Sequence, residues 1–161
     1  MSKRPRILIA EDDENDRFLI QRAFDKAGKK AAITFAKDGE ETIEILNQTP
    51  AKRTTRSQTT LLLLDIKMPR RGGFQVLEWL IDNPVKRPPF VIILTSSFDP
   101  GDIERARALG ADSYIVKPID HSEYVKIAAD LTCQSTSQVN LGRALSRYHR
   151  SNPPPPAPAS P

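Results

Sequence analysis

The chain has 161 residues, 39% hydrophobic and 27% charged, enough for one domain with a proper core and ordinary for a globular protein. No run approaches the about 18 apolar residues of a membrane span, and the start, MSKRPRILIA, lacks the apolar stretch of a signal peptide. The single Cys133 has no partner for an internal disulfide and no Cys or His cluster for zinc, so a reducing, cytoplasmic setting is expected. The net charge of +4 is unevenly spread. Arg143, Arg147 and Arg150 follow the last acid, Asp130, and Lys52, Arg53 and Arg56 lie in an acid-free stretch, 47–60. Taking those six from +4 leaves −2 for the remainder, so a basic nucleic-acid-binding surface is not expected on the body of the domain.

Short apolar runs alternate with helical patterns. Residues 6–10 (RILIA) read as a strand, and Ile20, Ala23, Phe24 and Ala27 form the stripe of an amphipathic helix stopped at Gly28. Residues 31–36 (AAITFA) make a second strand, and 39–47 a second helix with Ile43 and Leu46 inward. The run 61–65 (LLLLD) has the continuous apolar character of a strand buried on both faces. Gly73, Val76, Leu77 and Leu80 mark the third helix, and 90–94 (FVIIL) a second doubly buried strand. The fourth helix covers 99–109 and ends at Gly110. A short strand over 113–116 precedes a fifth helix with Tyr124, Ile127, Ala128 and Leu131 inward.

Five β–α units in strict alternation predict an α/β fold, a doubly wound, mostly parallel sheet with helices on both faces. The domain is expected over 1–133, with a polar, basic insert at 47–60. Over 134–150, Leu141, Ala144, Leu145 and Tyr148 follow helical spacing with arginines elsewhere around the wheel, a weak basic amphipathic extension interrupted by Gly142. Residues 151–161 (SNPPPPAPASP) are expected to be disordered or polyproline-like.

In such a sheet, ligands bind beyond the carboxyl ends of the strands. Strand one ends in Glu11-Asp12-Asp13, strand three in Asp65, strand four in Thr95-Ser96 and strand five in Lys117-Pro118. Clustered carboxylates raise one another's pKa unless a cation is present. A hard divalent ion such as Mg²⁺ takes one or two carboxylates plus waters and phosphate oxygens, which suits Asp12 and Asp65. An aspartate can accept a phosphoryl group as an acyl phosphate, with Lys117, the Thr95 hydroxyl and the Ser96 N–H available to the phosphoryl oxygens.

The strings ILIAEDDENDR, LLLLDIKMPRRGG, VIILTSS and GADSYIVKP, in this order and each on a strand end, resemble the receiver domains of two-component response regulators over residues 6–132. The resemblance implies a flavodoxin-like, five-stranded parallel sheet of order 2-1-3-4-5. It further implies Asp65 as phosphoacceptor and a Mg²⁺ or Mn²⁺ site made by Asp12, Asp65 and the Lys67 backbone carbonyl. Glu11 supports that site, and Asp13 is a further candidate or only a helix cap. Thr95 matches the switch hydroxyl, Tyr114 the aromatic switch residue and Lys117 the phosphate-sensing lysine, before a Pro118 that in this family usually follows a cis bond. Phosphate on Asp65 is then expected to draw Thr95 inward and let Tyr114 pack inside. The face of helix four, strand five and helix five changes its partner preference in consequence. Lys67 and Ser97 occupy positions that tune acyl-phosphate hydrolysis, and a long cation at 67 is expected to shield Asp65 from water.

The expected role is a stand-alone phosphorylation switch, not an enzyme in the ordinary sense. The expected donor is a sensor histidine kinase, and the segment NPVKRPPFVIILTSSFD is similar to regulators that work with bacterial phytochromes, which often dimerise through the helix four to helix five face. A downstream protein partner is expected; no direct contact with nucleic acid or membrane is. A haloacid-dehalogenase-type phosphatase needs D-x-D-x-T/V, whereas Ile66-Lys67 follow Asp65, and no P-loop or G-x-G-x-x-G follows the first strand. The alternative is a docking module that keeps the receiver fold without the phosphorylation switch. Among the remaining residues, Trp79 is expected to pack on helix three and Cys133 to be an inert half-buried thiol.

Overall fold

The structure, a computed structural model, describes residues 5–28, 30–48, 60–85 and 88–133 together with Leu145 and Tyr148. Most of the insert 47–60, most of 134–150 and the whole of 151–161 lie outside the described residues. Ten elements alternate: β1 (Arg6–Ala10), α1 (Glu14–Lys26), β2 (Ala32–Ala36), α2 (Gly39–Gln48), β3 (Thr60–Leu64), α3 (Gly73–Asp82), β4 (Phe90–Thr95), α4 (Pro100–Ala108), β5 (Ser113–Val116) and α5 (His121–Leu131). The strands form one parallel sheet of order β2-β1-β3-β4-β5, as expected.

Strand side chains alternate across the sheet and divide the core in two. Ile7, Ile9, Leu61, Leu63, Ile92 and Leu94 pack with Ile20 and Phe24 of α1 and Ile127 and Leu131 of α5. Leu8, Leu62, Leu64, Val91 and Ile93 face the other way, against Val76 and Leu77 of α3 and Ala106 of α4, and Tyr114 joins this second layer. That explains the unbroken apolar runs at β3 and β4: both faces of these strands are covered, and Leu62, Leu64, Ile92 and Ile93 are fully buried.

An aspartate opens four of the five helices, at the end of the sheet where the strands finish. Asp13 accepts from the Asp16 N–H, Asp38 from Glu41, Asp99 from Gly101 and Asp120 from Ser122. Each carboxylate satisfies an otherwise unpaired helix donor and sits at the positive end of the helix dipole. At the other helix ends Gly28 and Gly110 take φ of +70° and +88°, the left-handed values that stop α1 and α4.

Two details depart from expectation. Cys133 is exposed, not half-buried, because it lies one residue beyond Thr132, whose hydroxyl folds back on the Ala128 carbonyl as α5 ends. No peptide bond among the described residues is cis, so the bond from Lys117 to Pro118 is trans, the isomer X-Pro bonds favour by about 0.5–1 kcal/mol.

Leu145 and Tyr148 of the basic extension are helical and meet the α1/α5 layer. Leu145 is fully buried there, and the Tyr148 hydroxyl donates to Asp130 Oδ2 at 2.6 Å. A leucine this deep in a core contributes as a core residue. Leu145→Ala is expected to cost about 2–4 kcal/mol in urea unfolding; a loss below about 0.5 kcal/mol, the surface-substitution scale, would show that the segment frays in solution.

Candidate functional site

Parallel register brings the strand ends level. Ala10 pairs with Ala36 on one side and Leu64 on the other, and Thr95 pairs with Val116. The residues just beyond these pairs, Glu11, Asp65 and Lys117, therefore emerge at one edge of the sheet. Lys117 Nζ donates to Asp65 Oδ2 at 2.9 Å, with Glu11 Oε2 at 2.7 Å and Asp16 Oδ2 at 2.6 Å. Glu11 and Asp65 are buried, and the Lys117 side chain is only 11% exposed. Asp12, which is exposed, completes a triangle with Glu11 and Asp65 in which one oxygen of each carboxylate lies within 4.8 Å of the others.

Four carboxylates against one ammonium leave this edge short of positive charge. Burial pushes the Glu11 carboxyl up to about 7, with Lys117 pulling the other way and Asp65 adding to the rise. Burial likewise works against the Lys117 ammonium, but its bonds to Asp16, Glu11 and Asp65 outweigh that and hold it above the ordinary lysine value. The lysine is therefore a fixed positive charge. A hard oxygen-liganded divalent cation fits the triangle of Glu11, Asp12 and Asp65 by donor type and spacing.

Asp13 stands apart from the triangle as the cap of α1. The Arg17 guanidinium donates to the Glu11 carbonyl at 2.7 Å and the Asp12 carbonyl at 2.8 Å, pinning the chain between β1 and α1. The Lys67 N–H donates to Asp65 Oδ1 at 3.3 Å, and its side chain is exposed. Beyond it the loop to α3 is held from the side: Arg70, with φ of +61°, pairs with the buried Asp38 carboxylate, and the Arg71 carbonyl accepts from the Gly39 N–H at 2.9 Å. A Cβ on Gly72 would meet the Ile66 carbonyl at 2.6 Å, so this turn requires glycine there. The Gly72 N–H in turn donates to Gln75 Oε1 at 3.0 Å.

Thr95 is fully buried, and its hydroxyl accepts from the Ser97 N–H at 3.4 Å. Ser96 between them is exposed. The Ser97 hydroxyl donates to Asp102 in the first turn of α4 at 2.5 Å. The Ser97 carbonyl accepts from the Tyr114 hydroxyl at 2.9 Å. Tyr114 is buried and burial pushes its pKa up to about 12, so it stays a donor. The inward tyrosine that the sequence assigns to the phosphorylated form is the arrangement this structure adopts.

Asp65, Asp12, Glu11 and Lys117 thus come together as expected from their strand ends. Sequence reasoning missed Asp16, Arg17, the Asp38–Arg70 pair and Asp102. For Asp16 a signal existed, since an acid four residues after Asp12 falls in the first turn of the helix that leaves the site.

Comparison with known proteins points the same way. The sequence model of the response regulator receiver domain family matches residues 7–129. A probable chemotaxis protein CheY from Rhizobium etli is 30% identical over 118 residues, 73% of this chain and 84% of that protein. The crystal structure of the phosphorylated cyanobacterial phytochrome response regulator RcpA superposes with a TM-score of 0.67 at 27% identity, covering 79% of this chain and 90% of that one. The Mn²⁺-bound form of response regulator Rcp1 superposes with a TM-score of 0.61 at 25% identity, over 78% and 90% of the two chains. Among the described residues no helix is long and apolar enough to cross a membrane.

A cation entering the triangle competes with the proton on Glu11. A group with a pKa near 7 is protonated below it, so Mg²⁺ affinity is expected to fall as pH drops from 8 to 6, approaching about tenfold per unit below 7. Calorimetric titration at the two pH values measures this. Glu11→Gln should flatten the dependence, and an equally steep profile in that variant would assign the proton elsewhere.

Proposed function

The chain belongs to the response regulator receiver domain family, and from that membership we propose that it accepts a phosphoryl group on Asp65 in a cation-dependent reaction and signals by a shift of α4, β5 and α5. The observation that carries this reading is the Lys117 contact with Asp65, at a strand-end cluster that also contains Glu11 and Asp12. A carboxylate oxygen of Asp65 attacks the donor phosphorus, forming an acyl phosphate as the bond to the leaving group breaks. Mg²⁺ or Mn²⁺ held by Asp12, Asp65, Glu11 and the Lys67 carbonyl would neutralise charge on the phosphoryl oxygens. Lys117 donates to one of those oxygens, while the Thr95 hydroxyl and the Ser96 N–H are donors on the neighbouring strand end. The chain is a switch rather than a turnover enzyme: its acyl phosphate is lost to water, at a rate tuned by the side chains at 67 and 97.

Transmission follows from the hydrogen bonds beyond Thr95. Movement of its hydroxyl toward the phosphoryl group releases the Ser97 N–H, and Ser97 is held by Tyr114 through its carbonyl and by Asp102 through its hydroxyl. The loop between β4 and α4 is thereby freed from Thr95, and its movement carries Tyr114 and α4 with it. A bias of a few kcal/mol on a pre-existing equilibrium suffices. The donor in this reading is a sensor histidine kinase, and the likeness to a phytochrome response regulator supports a bacteriophytochrome. Output goes through the α4–β5–α5 face, to a downstream protein or a second copy of the chain.

Acetyl phosphate with Mg²⁺ is expected to add the mass of one phosphoryl group to the intact protein, and Asp65→Asn or omission of the cation to abolish the gain. No gain at any Mg²⁺ concentration would leave a receiver fold serving only as a docking module. Tyr114→Phe should still accept the phosphoryl group, at a stability cost of about 0.5–1.5 kcal/mol for the lost bond to Ser97; loss of labelling in that variant would contradict transmission that runs from Asp65 through Thr95 and Ser97 to Tyr114.

A further inference from the structure

An ammonium has three N–H donors and no more. In Lys117 three carboxylates surround them: Asp16 at 2.6 Å, Glu11 at 2.7 Å and Asp65 at 2.9 Å. A phosphoryl oxygen that reaches Lys117 must therefore displace one of the three. Glu11 and Asp65 belong to the triangle that suits a cation; Asp16 does not. Asp16 differs from the other two in position as well. It stands in the first turn of α1, its side chain is 31% exposed, and its own N–H is fixed by the Asp13 cap. Of the three contacts, the partly exposed one to Asp16 is the one an incoming phosphoryl oxygen displaces without disturbing the triangle.

We propose that Asp16 is a positioning residue that retains Lys117 at the rim of the site, so that a phosphoryl group on Asp65 gains the lysine only in competition with Asp16. This rests on the reading of Asp65 as phosphoacceptor. The contact is partly exposed, which sets its scale: releasing Lys117 from Asp16 tightens anion binding at Asp65 by about threefold to fivefold. Asp16 therefore lowers the occupancy of the phosphorylated form at a given supply of donor, and it does so through Lys117 rather than through its charge alone.

The test uses the beryllium trifluoride anion, a tetrahedral mimic of a carboxylate-linked phosphoryl group, titrated at saturating Mg²⁺ into the full chain. Asp16→Asn is expected to bind it about threefold to fivefold more tightly than wild type. Asp16→Glu, which restores a carboxylate in reach of the lysine, should return the affinity to within twofold of wild type. Glu14→Gln removes the same charge from the same helical turn, and Glu14 is exposed and caps nothing; it should change the affinity by less than twofold. Equal tightening in Asp16→Asn and Glu14→Gln would reduce the effect to bulk charge and overturn the proposal, as would no tightening in Asp16→Asn. Failure of the wild-type chain to bind the anion at all would instead refute the phosphoacceptor reading, and this inference with it.

Discussion

The site is organised around one buried positive charge. Taking an ammonium out of water costs several kcal/mol unless good hydrogen-bond partners surround it, and clustered carboxylates are unstable together without a cation. Lys117 answers both demands at once, since its three donors meet carboxylates from β1, β3 and α1. The strand order makes this a matter of reach: β4 separates β5 from β3, so a residue at the end of β5 must extend across a neighbouring strand to touch Asp65. A four-carbon stem ending in a compact charge does this; a shorter donor would not. Everything else at this edge, including the capacity to take a divalent ion, depends on that balance of charge.

Opposite Lys117 the pocket has a second, structural support. Asp38 is buried at the end of β2 and does two jobs, opening α2 through the Glu41 N–H and pairing with Arg70 from the loop after β3. Arg70 adopts a left-handed backbone that costs an ordinary residue about 1–2 kcal/mol, and pairing with a buried carboxylate offsets it. The loop that carries Lys67 is thereby tied to the neighbouring strand–helix corner, and the Lys67 N–H remains beside the Asp65 carboxylate. Two ion pairs of opposite polarity, a buried lysine on one side and a buried aspartate on the other, frame Asp65.

The fold was legible because its strongest signals are local. LLLLD and FVIILT announce strands covered on both faces, and the helices carry their stripes at the expected spacing. Asp65, Asp12 and Lys117 were legible for a related reason: each directly or nearly follows a strand, and parallel register brings such positions level. Asp16 was legible only in part: its place in the first turn of α1 follows from its spacing after Asp12, but its reach to Lys117 depends on how α1 leaves the sheet. The bond from the Ser97 hydroxyl to Asp102 was not legible either, since it depends on how α4 follows the end of β4. Leu145 and Tyr148 showed helical spacing but not where that face lands; contact with α5 is a long-range fact.

That landing place has a mechanical meaning. Leu145 joins the layer shared by α1 and α5, whereas Tyr114 belongs to the layer on the far side of the sheet. A parallel sheet buried on both faces is a stiff partition, so a displacement of Tyr114 and α4 reaches the C-terminal anchor only through β4 and β5 or through α5. Tension applied beyond Tyr148 loads α5 and the Asp130 contact before it loads the tyrosine. A hold on the C-terminal side thus acts on the layer of α1 and α5 and not on the layer that contains Tyr114.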